Sequence, residues 1–113
     1  MKIYHNPRCS KSRQTLQLIE EKGVTPEICL YLETPPSKTE LTDMLKKLGK
    51  TPRDILRKGE QEYKDNNFAD KALSDEALID LMVQFPKVIE RPIVVDGDKA
   101  IVGRPPENVL DLL

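Results

Sequence analysis

Cys9 stands in the segment Ile3-Tyr4-His5-Asn6-Pro7-Arg8-Cys9-Ser10-Lys11-Ser12-Arg13, where a short apolar run stops at Asn-Pro and a helical pattern begins at the thiol. A helix N-terminus carries unpaired N–H groups and a partial positive charge, and both favour thiolate over thiol. Arg8, Lys11 and Arg13 add positive charge close by, and the Ser12 hydroxyl is placed to donate to sulfur in a Cys-x-x-Ser arrangement. A thiolate so held is a nucleophile. The competing structural reading is a small buried hydrophobe, which is the fate of most free cysteines.

Three arginines offer groups that a thiolate reaction on an anion would need. Arg57 lies in Ile55-Leu56-Arg57-Lys58-Gly59, Arg91 directly precedes Pro92, and Arg104 directly precedes Pro105-Pro106. Taken singly, arginines are mostly solvated surface charges. Arg91 and Arg104 differ because they flank a hairpin pattern whose two ends could bring both guanidiniums to one side of a sheet. Their planar donor forks suit a tetrahedral oxyanion. His5 either acts on Cys9 electrostatically or orients the loop by hydrogen bonding.

Two absences narrow the chemistry. A cysteine-phosphatase anion loop needs an arginine after five intervening residues, and that position is Thr15, with Arg13 too early. Cys9-x-x-Ser12 also lacks the second thiol of a dithiol pair. A disulfide formed at Cys9 must therefore be resolved by another molecule or by Cys29, which falls in a strand pattern and reads as a small buried residue. One histidine and two cysteines far apart in the chain make no zinc set, so no metal is expected.

The elements that must position these groups follow from periodicity. Residues 2 to 5 form a strand candidate, and residues from about 10 to 22 a helix closed by Gly23 at C′. From Glu27 to Leu32 the chain alternates, with Ile28, Leu30 and Leu32 on one face and Cys29 and Tyr31 on the other. Pro35-Pro36 break this βαβ opening. Ser37-Lys38-Thr39-Glu40 is a capping box for a helix carrying Leu41, Met44, Leu45 and Leu48 and ended by Gly49. Residues 51 to 70 read as a connector with short helical pieces near Pro52–Leu56 and Glu60–Lys64. Ser74 caps a helix with Leu78, Leu81, Met82 and Phe85 on one face, and Pro86 ends it. Ile93-Val94-Val95, the Asp96-Gly97 turn and Ala100-Ile101-Val102 predict a hairpin, and Pro105-Pro106 begin a last helix with Val109, Leu110, Leu112 and Leu113. The order predicts a single α/β domain over residues 1–113, thioredoxin-like, with a mixed four-stranded sheet, flanking helices and a helical insertion.

With 18 basic against 19 acidic residues there is no net field to draw nucleic acid, and the charges read as a solvated surface. No apolar run is long enough for a bilayer and no signal-like segment opens the chain, so a cytoplasmic protein without membrane association is expected.

The segments Tyr4–Arg13, Leu56-Arg57-Lys58, Glu90-Arg91-Pro92-Ile93-Val94-Val95 and Gly103-Arg104-Pro105, in that order, resemble the glutaredoxin-coupled arsenate reductase family. The likeness runs over essentially the whole chain, including Leu30-Tyr31-Leu32-Glu33 and Pro35-Pro36. It implies that Cys9 is the nucleophile, that Arg57, Arg91 and Arg104 bind the oxyanion, that His5 and Ser12 support the thiolate, and that the bond before Pro92 is cis. The implied reaction reduces arsenate to arsenite through a Cys9 thiol–arsenate intermediate, with glutathione as co-substrate, glutaredoxin as partner and no bound cofactor. Many arsenate-reducing members carry glycine directly after the cysteine, whereas Ser10-Lys11 follow here. Two other functions share the scaffold: a glutathione-dependent thiol/disulfide reductase using Cys9, and a redox-sensing regulator that binds RNA polymerase. A Cys-x-x-Cys switch would favour the regulator, and Ser12 speaks against it.

Overall fold

A computed structural model describes all 113 residues, and the chain divides into two compact units. The first comprises residues 1–34 and 91–113, and the second is the stretch 35–90 inserted between them. The sequence predicts one domain, and the insertion it predicts is this second unit.

In the first unit, β1 (Lys2–Tyr4), α1 (Ser10–Glu21) and β2 (Glu27–Cys29) form the βαβ opening, and β3 (Ile93–Asp96) and β4 (Lys99–Val102) form the hairpin. The sheet order is β2-β1-β3-β4, with β1 parallel to β2 and antiparallel to β3. Pairing of Tyr4 with Cys29 and Ile93, and of Ile93 with Val102, brings four chain segments to one end of the sheet. These are the end of β1, the end of β2, the start of β3 and the end of β4. This is the thioredoxin-like mixed sheet that the element order predicts. Ile3, Ile19, Val94 and Val109 form its buried core, and Leu16, Val24, Ile101 and Leu112 pack against them. Burying each such aliphatic side chain contributes roughly 1.5–3 kcal/mol, so strands and helices hold their register through this cluster.

Local signals act where the sequence places them. Gly23 adopts φ 78° just beyond α1, and Gly97 adopts φ 62° in the hairpin turn, conformations that L side chains avoid. Two elements differ from expectation. β2 stops at Cys29, because the N–H groups of Glu33 and Thr34 both donate to the Leu30 carbonyl at 2.9 Å and turn the chain. In consequence the aliphatic face of the alternating stretch is the outward one, while Tyr31 is buried. The last helix is 3-10, over Pro106–Leu112. Three residues per turn put Pro106, Val109 and Leu112 on the inward face and leave Leu110 and Leu113 exposed.

The second unit holds α2 (Lys38–Leu48), a 3-10 turn at Pro52–Ile55, α3 (Gln61–Asp65), α4 (Asp75–Gln84) and a 3-10 turn at Pro86–Val88. The capping box is present: Glu40 N–H donates to Ser37 Oγ at 3.1 Å and Ser37 N–H to Glu40 Oε1 at 3.4 Å. Ser74 Oγ accepts the Ala77 N–H at 3.1 Å. Of the predicted helical stripes, Leu41, Met44, Leu45, Leu78 and Met82 are buried and Leu48, Leu81 and Phe85 are partly buried, while Ile79, outside the stripe, is buried as well. Lys38 Nζ bridges Glu76 at 2.8 Å and Asp80 at 3.2 Å, linking the first turn of α2 to α4. No helix is long and apolar enough to cross a membrane.

Candidate active site

The residues between β1 and α1 form a loop that is closed by its own hydrogen bonds. Asn6 Oδ1 accepts the Arg8 N–H at 3.0 Å, an Asx turn, and the Asn6 carbonyl accepts the Cys9 N–H at 3.0 Å. The Asn6 N–H in turn donates to Ser12 Oγ at 3.0 Å. Asn6 thus shapes the loop from three sides. Sequence reasoning passed over it, although an Asn-Pro pair before a helix start is a turn signal that marks such a residue.

Cys9 occupies the N-cap of α1 with extended backbone, φ −94° and ψ 123°, and is 8% exposed. The first turn of α1 holds no acidic residue, so nothing in it competes with sulfur for the positive end of the helix. Burial by itself pushes the Cys9 thiol up. The backbone N–H of Ser12, the Arg91 guanidinium and the N–H of Lys11 outweigh burial, and the thiol lies below its ordinary value.

The arginines at the hairpin ends reach this sulfur. Arg104 Nη2 lies 3.4 Å from Cys9 Sγ, and its Nε donates to the Arg91 carbonyl at 2.8 Å, which fixes the fork. Both X-Pro bonds that follow these arginines, Arg91–Pro92 and Arg104–Pro105, are cis. The family likeness implies the first, and no sequence signal singles out the second. Gly103 sits between Pro92 and α1, its N–H donating to the Pro92 carbonyl at 2.9 Å. A Cβ there would lie 2.5 Å from Thr15 Oγ1 and 2.7 Å from Pro92 Cγ. Only glycine lets the strand end approach the helix so closely, and that approach carries Arg104 to the thiol.

His5 and Ser12 are buried together, Nδ1 and Oγ sharing a hydrogen bond of 2.6 Å. Burial, and secondarily the Arg13 charge, hold the His5 pKa below its ordinary value, so the imidazole is neutral near pH 7. The Ser12 hydroxyl was expected to donate to sulfur. It is instead engaged by His5 and Asn6, because both lie in the loop that folds back over α1, and it is the Ser12 backbone N–H that favours the thiolate. Arg57 belongs to the second unit, where its guanidinium pairs with Glu90 at 2.9 Å and Glu60 at 3.3 Å. Cys29 follows Ile28 on the edge strand and is partly exposed, its Sγ 3.7 Å from the Thr34 carbonyl. No cluster of His, Cys, Asp and Glu gathers in a metal-binding arrangement.

The titration of these groups has a definite sign. A folded-state thiol below the unfolded value of about 8.5 contributes stability above that pH, and the contribution is lost as pH falls through the folded value. His5 acts in the same direction. The unfolded chain takes up a proton near pH ~6.5 that the folded chain resists, so acidification from there also erodes stability. A titration of thiolate absorbance in Cys29→Ser protein is expected to give a midpoint below about 8.5, and a midpoint at or above it would contradict the activated thiol.

The ArsC family matches residues 4–112. The chain is 57% identical over 114 residues to an Escherichia coli K-12 protein named "Uncharacterized protein YfgD", covering all of this chain and 96% of that one. It is 48% identical over 112 residues to an arsenate reductase of Haemophilus influenzae, with 98% and 97% of the two chains covered. Among solved structures, an arsenate reductase from Vibrio cholerae superimposes with a TM-score of 0.95 at 50% identity, covering 100% of this chain and 98% of the other.

Proposed function

The chain belongs to the ArsC family, and from that premise we propose that it reduces arsenate to arsenite at Cys9, with glutathione and glutaredoxin as external reductants. The observation that carries this reading is a thiol with a lowered pKa that has the Arg104 guanidinium 3.4 Å from its sulfur and Arg91 acting on it as well.

The chemistry follows from those groups. Arsenate docks on Arg91 and Arg104, whose positive charge offsets its own as the Cys9 thiolate attacks arsenic. An arsenic–oxygen bond breaks, the oxygen leaves as water after protonation, and a sulfur–arsenic(V) bond forms. The thiolate of glutathione then attacks Cys9 Sγ. The new S–S bond forms as the S–As bond breaks, and that electron pair passes to arsenic, which leaves as arsenite. Two thiols are oxidised to one disulfide while arsenic gains two electrons. A glutaredoxin thiol finally takes the glutathionyl group and frees Cys9. An external thiol is needed because Ser12 stands where a second cysteine would resolve the bond. Arg57 is the third arginine that the family likeness points to. With its charge committed to Glu60 and Glu90, we assign the oxyanion to the other two.

A second reading, in which the same thiolate acts on a mixed disulfide, is favoured by Ser10-Lys11, which stand where many arsenate-reducing members carry glycine after the cysteine. One assay separates them. Arsenate-dependent NADPH oxidation is followed with glutathione, glutaredoxin and glutathione reductase, beside reduction of a glutathione mixed disulfide. Turnover of arsenate is expected. Vigorous disulfide reduction without arsenate turnover would replace the first reading with the second.

A further inference from the structure

The turn after β2 leaves Leu30 and Leu32 36% and 37% exposed, and both line a cleft of about 290 Å³. This volume lies at the small end of ligand pockets, which run from roughly 300 Å³ upward. Its other walls include Pro7 and Arg8 of the loop that leads to Cys9, and Glu33. The cleft is therefore aliphatic along one side and carries one cation and one anion. Arg8 and Glu33 are both exposed, and neither side chain is held in an ion pair within the chain.

Topology fixes where this cleft lies relative to the oxyanion groups. β2 and β3 pair with opposite edges of β1. The cleft adjoins the chain leaving β2, whereas Arg91 precedes β3 and Arg104 follows β4. Cys9 follows the loop between these two sides, with anion-binding arginines on one and a mixed aliphatic and zwitterionic cleft on the other. Such a lining suits a short peptide that bears both an ammonium and a carboxylate and has an aliphatic stem. It suits a bare tetrahedral oxyanion poorly, since Glu33 would repel one.

Resting on the reading that glutathione supplies the second thiol, we infer that this cleft is the co-substrate subsite. The peptide ammonium is met by Glu33 and a carboxylate by Arg8, its backbone lies against Leu30, Leu32 and Pro7, and its thiol is delivered toward Cys9 from the side opposite the arginines. Approach from that side leaves the oxyanion undisturbed while the S–S bond forms.

The test uses S-methylglutathione, which keeps both charges but has no thiol to react. In an NMR titration of the full chain, shifts are expected at the Leu30 and Leu32 methyls and at residues 5–8 and 33. Glu33→Lys, at an exposed position, is expected to weaken binding about tenfold. In turnover, the same variant should raise the KM for glutathione about tenfold relative to the KM for 2-mercaptoethanol, which has no charges to recognise. Shifts located elsewhere, or an affinity unchanged by Glu33→Lys, would overturn the subsite. The binding measurement does not depend on arsenate turnover. Binding here without turnover would leave the subsite standing and remove the arsenate reading, and turnover without binding here would do the reverse.

Discussion

Cys9→Ser is expected to lower arsenate turnover by at least about a thousandfold while leaving the fold intact. Serine is nearly isosteric and the cysteine N–H, which closes the loop onto the Asn6 carbonyl, is retained. What changes is the nucleophile. A serine hydroxyl stays protonated near neutral pH, whereas the helix N–H groups and Arg91 hold the thiol below its ordinary value. Serine also cannot form a disulfide with glutathione, so the second half of the proposed reaction is lost with the first. The check is the coupled assay, together with mass spectrometry for the glutathionylated protein and a urea midpoint for stability. Substantial turnover by a stably folded Cys9→Ser would remove Cys9 from the chemistry.

The second large effect is expected at Arg104. Its Nε bond to the Arg91 carbonyl fixes the guanidinium plane, and its Nη2 faces the sulfur. Arg104→Ala removes a preorganised donor from the point where negative charge gathers, and such losses cost about 10²–10³ in kcat. The thiolate loses a neighbouring cation, so its titration midpoint is expected to rise. Arg104→Lys should restore charge but not the fork, because one ammonium cannot hold the Arg91 carbonyl and face sulfur in the same plane. Its activity is expected to fall between alanine and wild type. The thiol titration distinguishes this role from a purely structural one. An unchanged midpoint with unchanged kcat/KM in Arg104→Ala would contradict it.

Several features of the fold are legible one element at a time. Ser37-x-x-Glu40, Ser74, Gly23 and Asp96-Gly97 mark ends and turns by chemistry confined to a few residues, and each acts at its own position. The length of β2 was less legible. Ile28, Leu30 and Leu32 alternate as a strand does, but the backbone turns at Leu30 and exposes them, and alternation alone does not say which face is covered. The form of the last helix was also hidden. Val109, Leu110, Leu112 and Leu113 allow an α-helical face, and the tighter 3-10 spacing selects Pro106, Val109 and Leu112 instead.

By itself the sequence determined that a cysteine caps a helix amid positive charge, that no second thiol accompanies it at the dithiol spacing, and that arginines stand directly before Pro92 and Pro105 at the two ends of a hairpin pattern. These are local facts, because caps and turns depend on neighbours within a turn or two of chain. Tertiary structure decided which groups meet. Antiparallel pairing of β1 with β3 and of β3 with β4, and a glycine at position 103 small enough to seat against Thr15 and Pro92, bring Arg104 to a thiol 95 residues earlier. The same folding turned the Ser12 hydroxyl to His5 and Asn6 rather than to sulfur. Contacts of that range arise from sheet register and core packing, which no spacing along the chain encodes.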